Sequence, residues 1–400
     1  MLIKDYKASA TSNGMNIYYV ANIRLPTEKA HGLQIMKTCE AFGKLEARSS
    51  KPEERKMCVE LIVPRRHNPI KTDPFEYYGV KKSFKITRLP CLDLVRFGKV
   101  GFFIEQFSFL LAAKAYLLFR KGIVYSREEI TSFFFRTTVL ELHTLPSLPG
   151  RFRKSLSRKA RHIFVLTKLM QDELLGWGIE EEKISVLPDA VDFGEFDLSL
   201  SKEDARKKLA LPLDASIALY AGSLSSYPWK GVDVLLEAAQ KYQVSSINFQ
   251  EQKLLFLLVG GSQKEIAEAR KKYPEGHIMF VGHRPHADIP QYLRAADVLV
   301  LPNKDGFAMS ERHTSPLKLF EYMASGRPIV SSDLPSIREV LSEEEAVFFK
   351  PNSSESLLEA LHFVLSHPED ADKKARRALE KAKRFTWSAR GEQALAVMRL

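Results

Sequence analysis

The run SPLKLFEYMASGRPIVSSD, residues 315–333, sets residue types suited to an anion beside one suited to a neutral polyol. Ser315 fits a helix N-cap, and Pro316 fits the first helical position, where its missing N–H is not needed. Gly326, with Pro328 soon after, marks the stop. The preceding DVLVLP reads as a buried strand, so the helix begins right after a strand end. Its free N–H groups and positive dipole end then face a ligand, most simply phosphate. Glu321 lies within two turns of that start. A carboxylate beside a phosphate only repels it, so its target would be ribose-like hydroxyls. A solvated helix carboxylate is the competing reading.

Such a site needs strands that end at it, and the chain supplies two series. In the first half, apolar runs begin near Met15, Cys58, Phe84, Gly122, Thr137 and His162, with helical patterns between most of them, and KISVLPDAVD closes the series. After a charged helical segment at 201–209 and LPLDA, which read as a linker, the alternation resumes with IALYAGSL, LLFLLVGG, HIMFVGHR, DVLVLPN, PIVSS and AVFFK. Runs of this kind suit strands buried on both faces. Two α/β alternations predict two doubly wound domains facing a central cleft, with ligands at the carboxyl ends of the strands.

The 400 residues are too many for one ordinary core. Three cysteines, Cys39, Cys58 and Cys91, lack the close spacing of a zinc or redox site and fit a reducing, cytoplasmic compartment. The leader MLIKDYKASATSNG has no apolar core, and no uncharged apolar run of about twenty residues follows, so secretion and membrane spanning are not expected. A formal charge of +11 implies an anionic partner. No helix-turn-helix, zinc-finger or RNP-type signature accompanies it, so nucleic acid is not expected.

Taken together, AGSLSSYPWKGVDVLLEAA, FVGHRPHADIPQYLRAADVLVLP, the 315–333 run with its continuation, VLPDAVD and FTWSAR resemble glycosyltransferase family 4 over nearly the whole chain. The resemblance implies the GT-B fold, two Rossmann-like domains with a C-terminal helix crossing back to the first. It gives an acceptor-binding domain at 1–195, a nucleotide-sugar domain at 196–384 and the returning helix at 385–400. It also implies transfer of a hexosyl group from a nucleoside diphosphate sugar to an acceptor hydroxyl, with retention, in polysaccharide or glycolipid biosynthesis. No cofactor and no metal are implied, and the one Asp-x-Asp, Asp370 and Asp372, reads as solvated surface.

Carried over position by position, Lys230 matches the lysine that neutralises the donor diphosphate, a task suited to a point charge. Glu321 matches the second glutamate of the E-x7-E motif, which holds the donor ribose. Ser315, Leu317 and Lys318 match the donor-binding helix start, Gly222 the glycine after the first strand of the second series, and His283 and Arg284 the loop after the base-contacting strand. His143 ends the strand TTVLELH, where the family contacts the transferred sugar, and Glu141 could orient it. In RLPTEKAHGLQ, His31 and Gly32 fall where the family meets the acceptor; a plain helix start is the alternative. Two positions depart from the pattern. His313 stands where the first glutamate is expected, and reads as a sugar contact or an ordinary loop histidine. Ser223 replaces an arginine, leaving Arg312, Arg284 or Lys318 to compensate.

The segment GFFIEQFSFLLAAKAYLLF, residues 101–119, reads as a mostly buried helix of the first domain, with a membrane contact as the alternative, because helices apolar all round usually lie inside. The basic run RFRKSLSRKARH, residues 151–162, reads either as a solvated face or as a peripheral contact with anionic membrane at its cytoplasmic side, near a lipid-linked or glycan acceptor. Two other functions fit the same architecture: a nucleotide-sugar epimerase, which needs no acceptor, and a non-catalytic sugar-nucleotide-binding protein.

Overall fold

A computed structural model describes residues 16–47, 58–146, 150–196, 198–224, 227–244, 253–274 and 277–399. The polar leader lies outside the described residues. Two parallel sheets form the frame. The first has seven strands: β1 (Ile17–Val20), β2 (Val59–Pro64), β3 (Lys85–Leu89), β4 (Ile123–Ser126), β5 (Thr138–Leu142), β6 (His162–Val165) and β7 (Ile184–Val186). Their order is β3-β2-β1-β4-β5-β6-β7. The second has six: β8 (Ser216–Ala221), β9 (Leu254–Val259), β10 (Ile278–Gly282), β11 (Val298–Leu301), β12 (Ile329–Ser332) and β13 (Val347–Phe349), ordered β10-β9-β8-β11-β12-β13. In both, the order reverses beside the first strand, which makes the doubly wound pattern.

Alternation along β8 explains why its sequence is apolar at every step from Ile217 to Ala221. Ile217, Leu219 and Ala221 pack into one core layer, while Ala218 and Tyr220 pack into the other. A strand covered by helices on both sides has no polar face to present. The edge strand β3 differs, with Lys85 and Arg88 exposed.

Contacts divide the chain into two compact units, one of residues 1–141, 151–163 and 391–400, the other of 142–150 and 164–390. The segment expected to be a linker is packed into the second unit. Its helix Lys202–Lys208 is capped by Ser201, and the buried Arg206 donates to the carbonyls of Ala295 and Ala215, both at 2.9 Å, and pairs with Asp297. A buried guanidinium with this many acceptors holds the segment in place. In the first unit, Gly391 lies against the helix Ala30–Ala47, where a Cβ would come within 3.0 Å of Ala41.

The expectation for residues 101–119 is corrected. The helix Gly98–Leu117 buries one face, through Phe109, Leu110, Ala113 and Leu117, and leaves the other to solvent, with Phe103 65% exposed. An even apolar composition carries no period to mark the outer face. By length and composition alone the segment Val95–Leu117 could cross a membrane, and a third of it is buried.

Candidate donor-binding site

The second unit gathers its chemistry at the carboxyl end of β8. Gly222 follows that strand with φ of +145°, a region that favours glycine, and its N–H donates to the Val259 carbonyl at 2.8 Å. A Cβ there would stand 2.8 Å from the Lys318 Nζ and 3.0 Å from the Tyr220 hydroxyl. The 3-10 turn Pro228–Lys230 comes next, closed by Gly231 at φ +67°. A Cβ on Gly231 would fall 1.7 Å from the Pro302 carbonyl oxygen, so only glycine lets this turn rest on the strand-end loop. The turn sets Lys230 so that Nζ donates to Ser223 Oγ at 2.8 Å and lies 4.7 Å from the centre of the Tyr227 ring.

Lys318 comes from the helix Leu317–Ala324, which is fastened beneath the same strand end. The hydroxyl of Tyr322 accepts from Ala221 N–H at 2.9 Å, and Leu319, Phe320, Met323 and Ala324 are buried. Lys318, Glu321 and Tyr322 are neighbours at helical spacing. The Lys318 ammonium is buried without a hydrogen-bond partner among the described residues and sits over the Tyr220 ring. Burial first, then the nearby Lys230, pushes its pKa well below the usual lysine value; burial also lowers that of Lys230. A buried, unpaired cation is costly unless an anion completes it. Of the three compensating cations considered for Ser223, Lys318 is the one at the strand end. Arg312 pairs with Glu173 at 3.2 Å, and Arg284 donates to the Tyr292 hydroxyl at 3.2 Å.

The helix start differs from expectation. Pro316, not Ser315, occupies the N-cap position, and no side chain caps the first turn. Ser315 is buried and its Oγ accepts from the Asp189 N–H at 3.1 Å instead. The hydroxyl is spent on the neighbouring loop, and among the described residues no side-chain hydrogen bond caps the turn at Leu317 and Lys318. The helix still ends as read, with Gly326 at φ +65°.

Glu321 is not a solvated carboxylate. It is buried, and its Oε1 lies 2.8 Å from His286 Nε2. Nothing in the sequence flagged His286, which comes from a separate 3-10 turn, His286–Asp288, with no fixed spacing to Glu321. His283 and Arg284 are exposed in the preceding loop.

His313 ends a π-helical turn, Met309–His313, that sequence reading missed. Such turns carry no compositional signal. The ring is buried, with Nε2 3.2 Å from Glu173 and Nδ1 3.4 Å from the Leu145 nitrogen. Its pKa lies below the ordinary histidine value because burial outweighs Glu173. Both ring nitrogens therefore have protein neighbours. His143 is half-buried two residues before Leu145.

In the first unit, Glu141 accepts the Tyr125 hydroxyl. The close approach that Gly32 permits is made by Tyr78, whose oxygen would lie 2.1 Å from a Cβ there. That hydroxyl also accepts from Thr27 N–H at 2.7 Å, fastening the loop before the helix. His31, in the first turn, is held neutral, with its pKa lowered to about 4 by burial and then by Arg127.

Residues 201–385 match the family Glycosyl transferases group 1. The chain is 30% identical over 193 residues to a putative teichuronic acid biosynthesis glycosyltransferase of Bacillus subtilis, covering 47% of this chain and 44% of that protein. It is 28% identical over 267 residues to a phosphatidyl-myo-inositol mannosyltransferase of Mycolicibacterium smegmatis, covering 66% and 63%. The matched segments thus span roughly half the length of these relatives. Among solved structures, the Anabaena protein HepE in complex with UDP and glucose superposes with a TM-score of 0.72 at 16% identity, over 96% of this chain and 99% of that one. At that identity the likeness shows the GT-B fold.

Proposed function

We propose, from the match of residues 201–385 to the group 1 glycosyl transferases, that this chain moves a sugar from a nucleoside diphosphate sugar to an acceptor hydroxyl, with retention at the anomeric carbon. One observation carries the donor class: the buried Lys318 ammonium, without a hydrogen-bond partner among the described residues, beside Lys230 and Gly222 at a strand end. Two depressed lysines with no carboxylate bonded to either ammonium among the described residues suit a group that brings its own negative charge. A diphosphate supplies that charge, and the uncapped turn at Leu317 adds backbone donors.

In the reaction the bond from the anomeric carbon to the diphosphate oxygen breaks, and the leaving group takes the electron pair. The acceptor oxygen bonds to the same carbon as its hydroxyl proton passes to the departing diphosphate. Lys230 and Lys318 stabilise the charge that builds on the leaving oxygen, which is preorganised electrostatic catalysis. With both cations supplied by the chain, the proposal assigns no metal and no cofactor. Glu321, positioned by His286, accepts from the ribose hydroxyls, and the loop at His283 and Arg284 meets the base. Ser315 acts indirectly, by holding the loop at Asp189. His143 faces the transferred sugar, His313 shapes the wall beside it through Glu173, and His31 and Gly32 belong to the acceptor side. A glycan or lipid-linked glycan is the proposed acceptor class, and the cytoplasm, where the free thiols of Cys39, Cys58 and Cys91 persist, is the proposed compartment.

The test is turnover of UDP-, GDP- and ADP-sugars with and without a glycan acceptor panel, reading free nucleoside diphosphate and the fate of the sugar. Acceptor-dependent release with the sugar joined to the acceptor supports transfer. An altered free sugar without acceptor supports an epimerase, and binding without turnover supports a non-catalytic role; either overturns the proposal.

A further inference from the structure

We propose that the first unit carries a docking surface for an anionic lipid bilayer, formed by the outer face of the helix Gly98–Leu117 and the adjoining basic helix Arg151–Lys159. This stands independently of the transfer reaction. Among the described residues, seventeen large apolar side chains are exposed, and twelve of them fall between positions 92 and 152. Such clustering is unlike the scattered apolar exposure of ordinary surfaces. On the helix, Phe97, Val100, Ile104, Phe107 and Leu111 recur at steps of three and four, which aligns them on one face. A groove of about 510 Å³ runs along it, lined by Leu92, Phe103, Ile104, Phe107, Leu111 and Ile130.

The apolar face continues into the basic helix. Phe107 packs edge-on to Phe134 at 5.5 Å, Phe134 meets Phe133 at 5.5 Å, and Lys159 Nζ stands 5.7 Å from the Phe133 ring. Residues 151–161 hold Arg151, Arg153, Lys154, Arg158, Lys159 and Arg161 and no acidic residue. Between 94 and 121 the bases are Arg96, Lys99, Lys114, Arg120 and Lys121, and the sole acid is Glu105. Glu105 is buried, accepting from Arg66 at 2.9 Å and Asn22 at 3.0 Å. Asp93, exposed beside Leu92, and Glu129, paired with Arg153 at 2.7 Å, are the acids of this surface; the exposed side is otherwise aromatic, aliphatic and cationic.

That pattern selects the occupant. A second copy of the chain would bring basic rim against basic rim, whereas acidic headgroups satisfy the rim and acyl chains the phenylalanines. The helix lies along the bilayer rather than through it, because spanning would strip Glu105 of its partners and Phe109 and Leu110 of their core.

The experiment is flotation of the full chain with phosphatidylcholine vesicles, with and without roughly one-third phosphatidylglycerol, at low and high salt. Binding to the anionic vesicles that weakens with salt is expected. Phe97→Ser with Phe103→Ser should reduce it at least about tenfold, and Arg151→Gln with Lys159→Gln about fivefold per charge. An unchanged melting transition and unchanged light-scattering mass show that the variants remain folded and of the same size. Equal binding to both vesicle types, no binding to either, or a wild-type dimer that the phenylalanine variant converts to monomer would each overturn the proposal. Should the phenylalanine pair not fold, the charge pair, which touches no core residue, decides alone.

Discussion

The ammonium of Lys318 lies 3.9 Å from the centre of the Tyr220 ring, buried and without a hydrogen-bond acceptor among the described residues. The π face offsets part of the desolvation of a cation but not all of it. The unliganded protein therefore holds a charge it would be more stable without. Lys318→Met is expected to raise unfolding stability in the absence of ligand by about 1 kcal/mol, measured by urea denaturation, while weakening nucleoside diphosphate binding. Loss of stability in that variant would mean the ammonium is already satisfied.

Gly231 fixes the position of Lys230. With φ of +67° and a Cβ clash at 1.7 Å against the Pro302 carbonyl, Gly231→Ala is expected to cost about 2 kcal/mol or more, because backbone must shift. The urea midpoint should fall, and donor affinity should fall with it as Lys230 leaves Ser223. A neutral result would show that the turn is freer than its contacts imply.

His286 is expected to matter through Glu321. His286→Ala leaves a buried carboxylate without its neighbour at 2.8 Å, so Glu321 should rotate or recruit water and hold ribose less well. KM for the donor should rise about tenfold with a smaller change in kcat, and His286→Gln should recover part of it. Equal loss in both variants with KM unchanged would make His286 a packing residue only.

Stability should decline as pH falls from about 6.5 toward 4. His31 and His162 have folded pKa values lowered to about 4, chiefly by burial, and that of His313 is also lowered. Between the unfolded and folded values the unfolded chain binds the extra protons, so acid favours it. Melting temperatures measured across this window should drop, and His162→Gln should flatten the slope. A slope unaffected by that replacement would assign the acid sensitivity elsewhere.

The architecture was legible because β8 from Ile217 on, β9 and β11 are apolar at every step, as strands covered on both faces must be. Lys230 and Glu321 stood out in their motifs, and the structure puts Lys230 in the turn after β8 and Glu321 on the helix Leu317–Ala324. What escaped depends on contacts between distant segments. Ser315 looked like an N-cap, but whether its hydroxyl turned to the helix or to Asp189 was a tertiary choice. His286 reaches Glu321 across a gap of thirty-five residues. Lys318 stood among three possible cations until burial singled it out. The outer face of Gly98–Leu117 was hidden because hydropathy does not distinguish a helix bound for the core from one presenting phenylalanine to solvent.

Calorimetric titration of nucleoside diphosphates against the matching monophosphates, on the wild-type chain and Lys318→Ala, tests the donor-site assignment most directly. For one base series the wild type should prefer the diphosphate by at least about tenfold, and the variant should lose most of that preference while keeping its monophosphate affinity. The same preference in both proteins, or no nucleotide binding by the wild type, would contradict the placement of the diphosphate at Lys318.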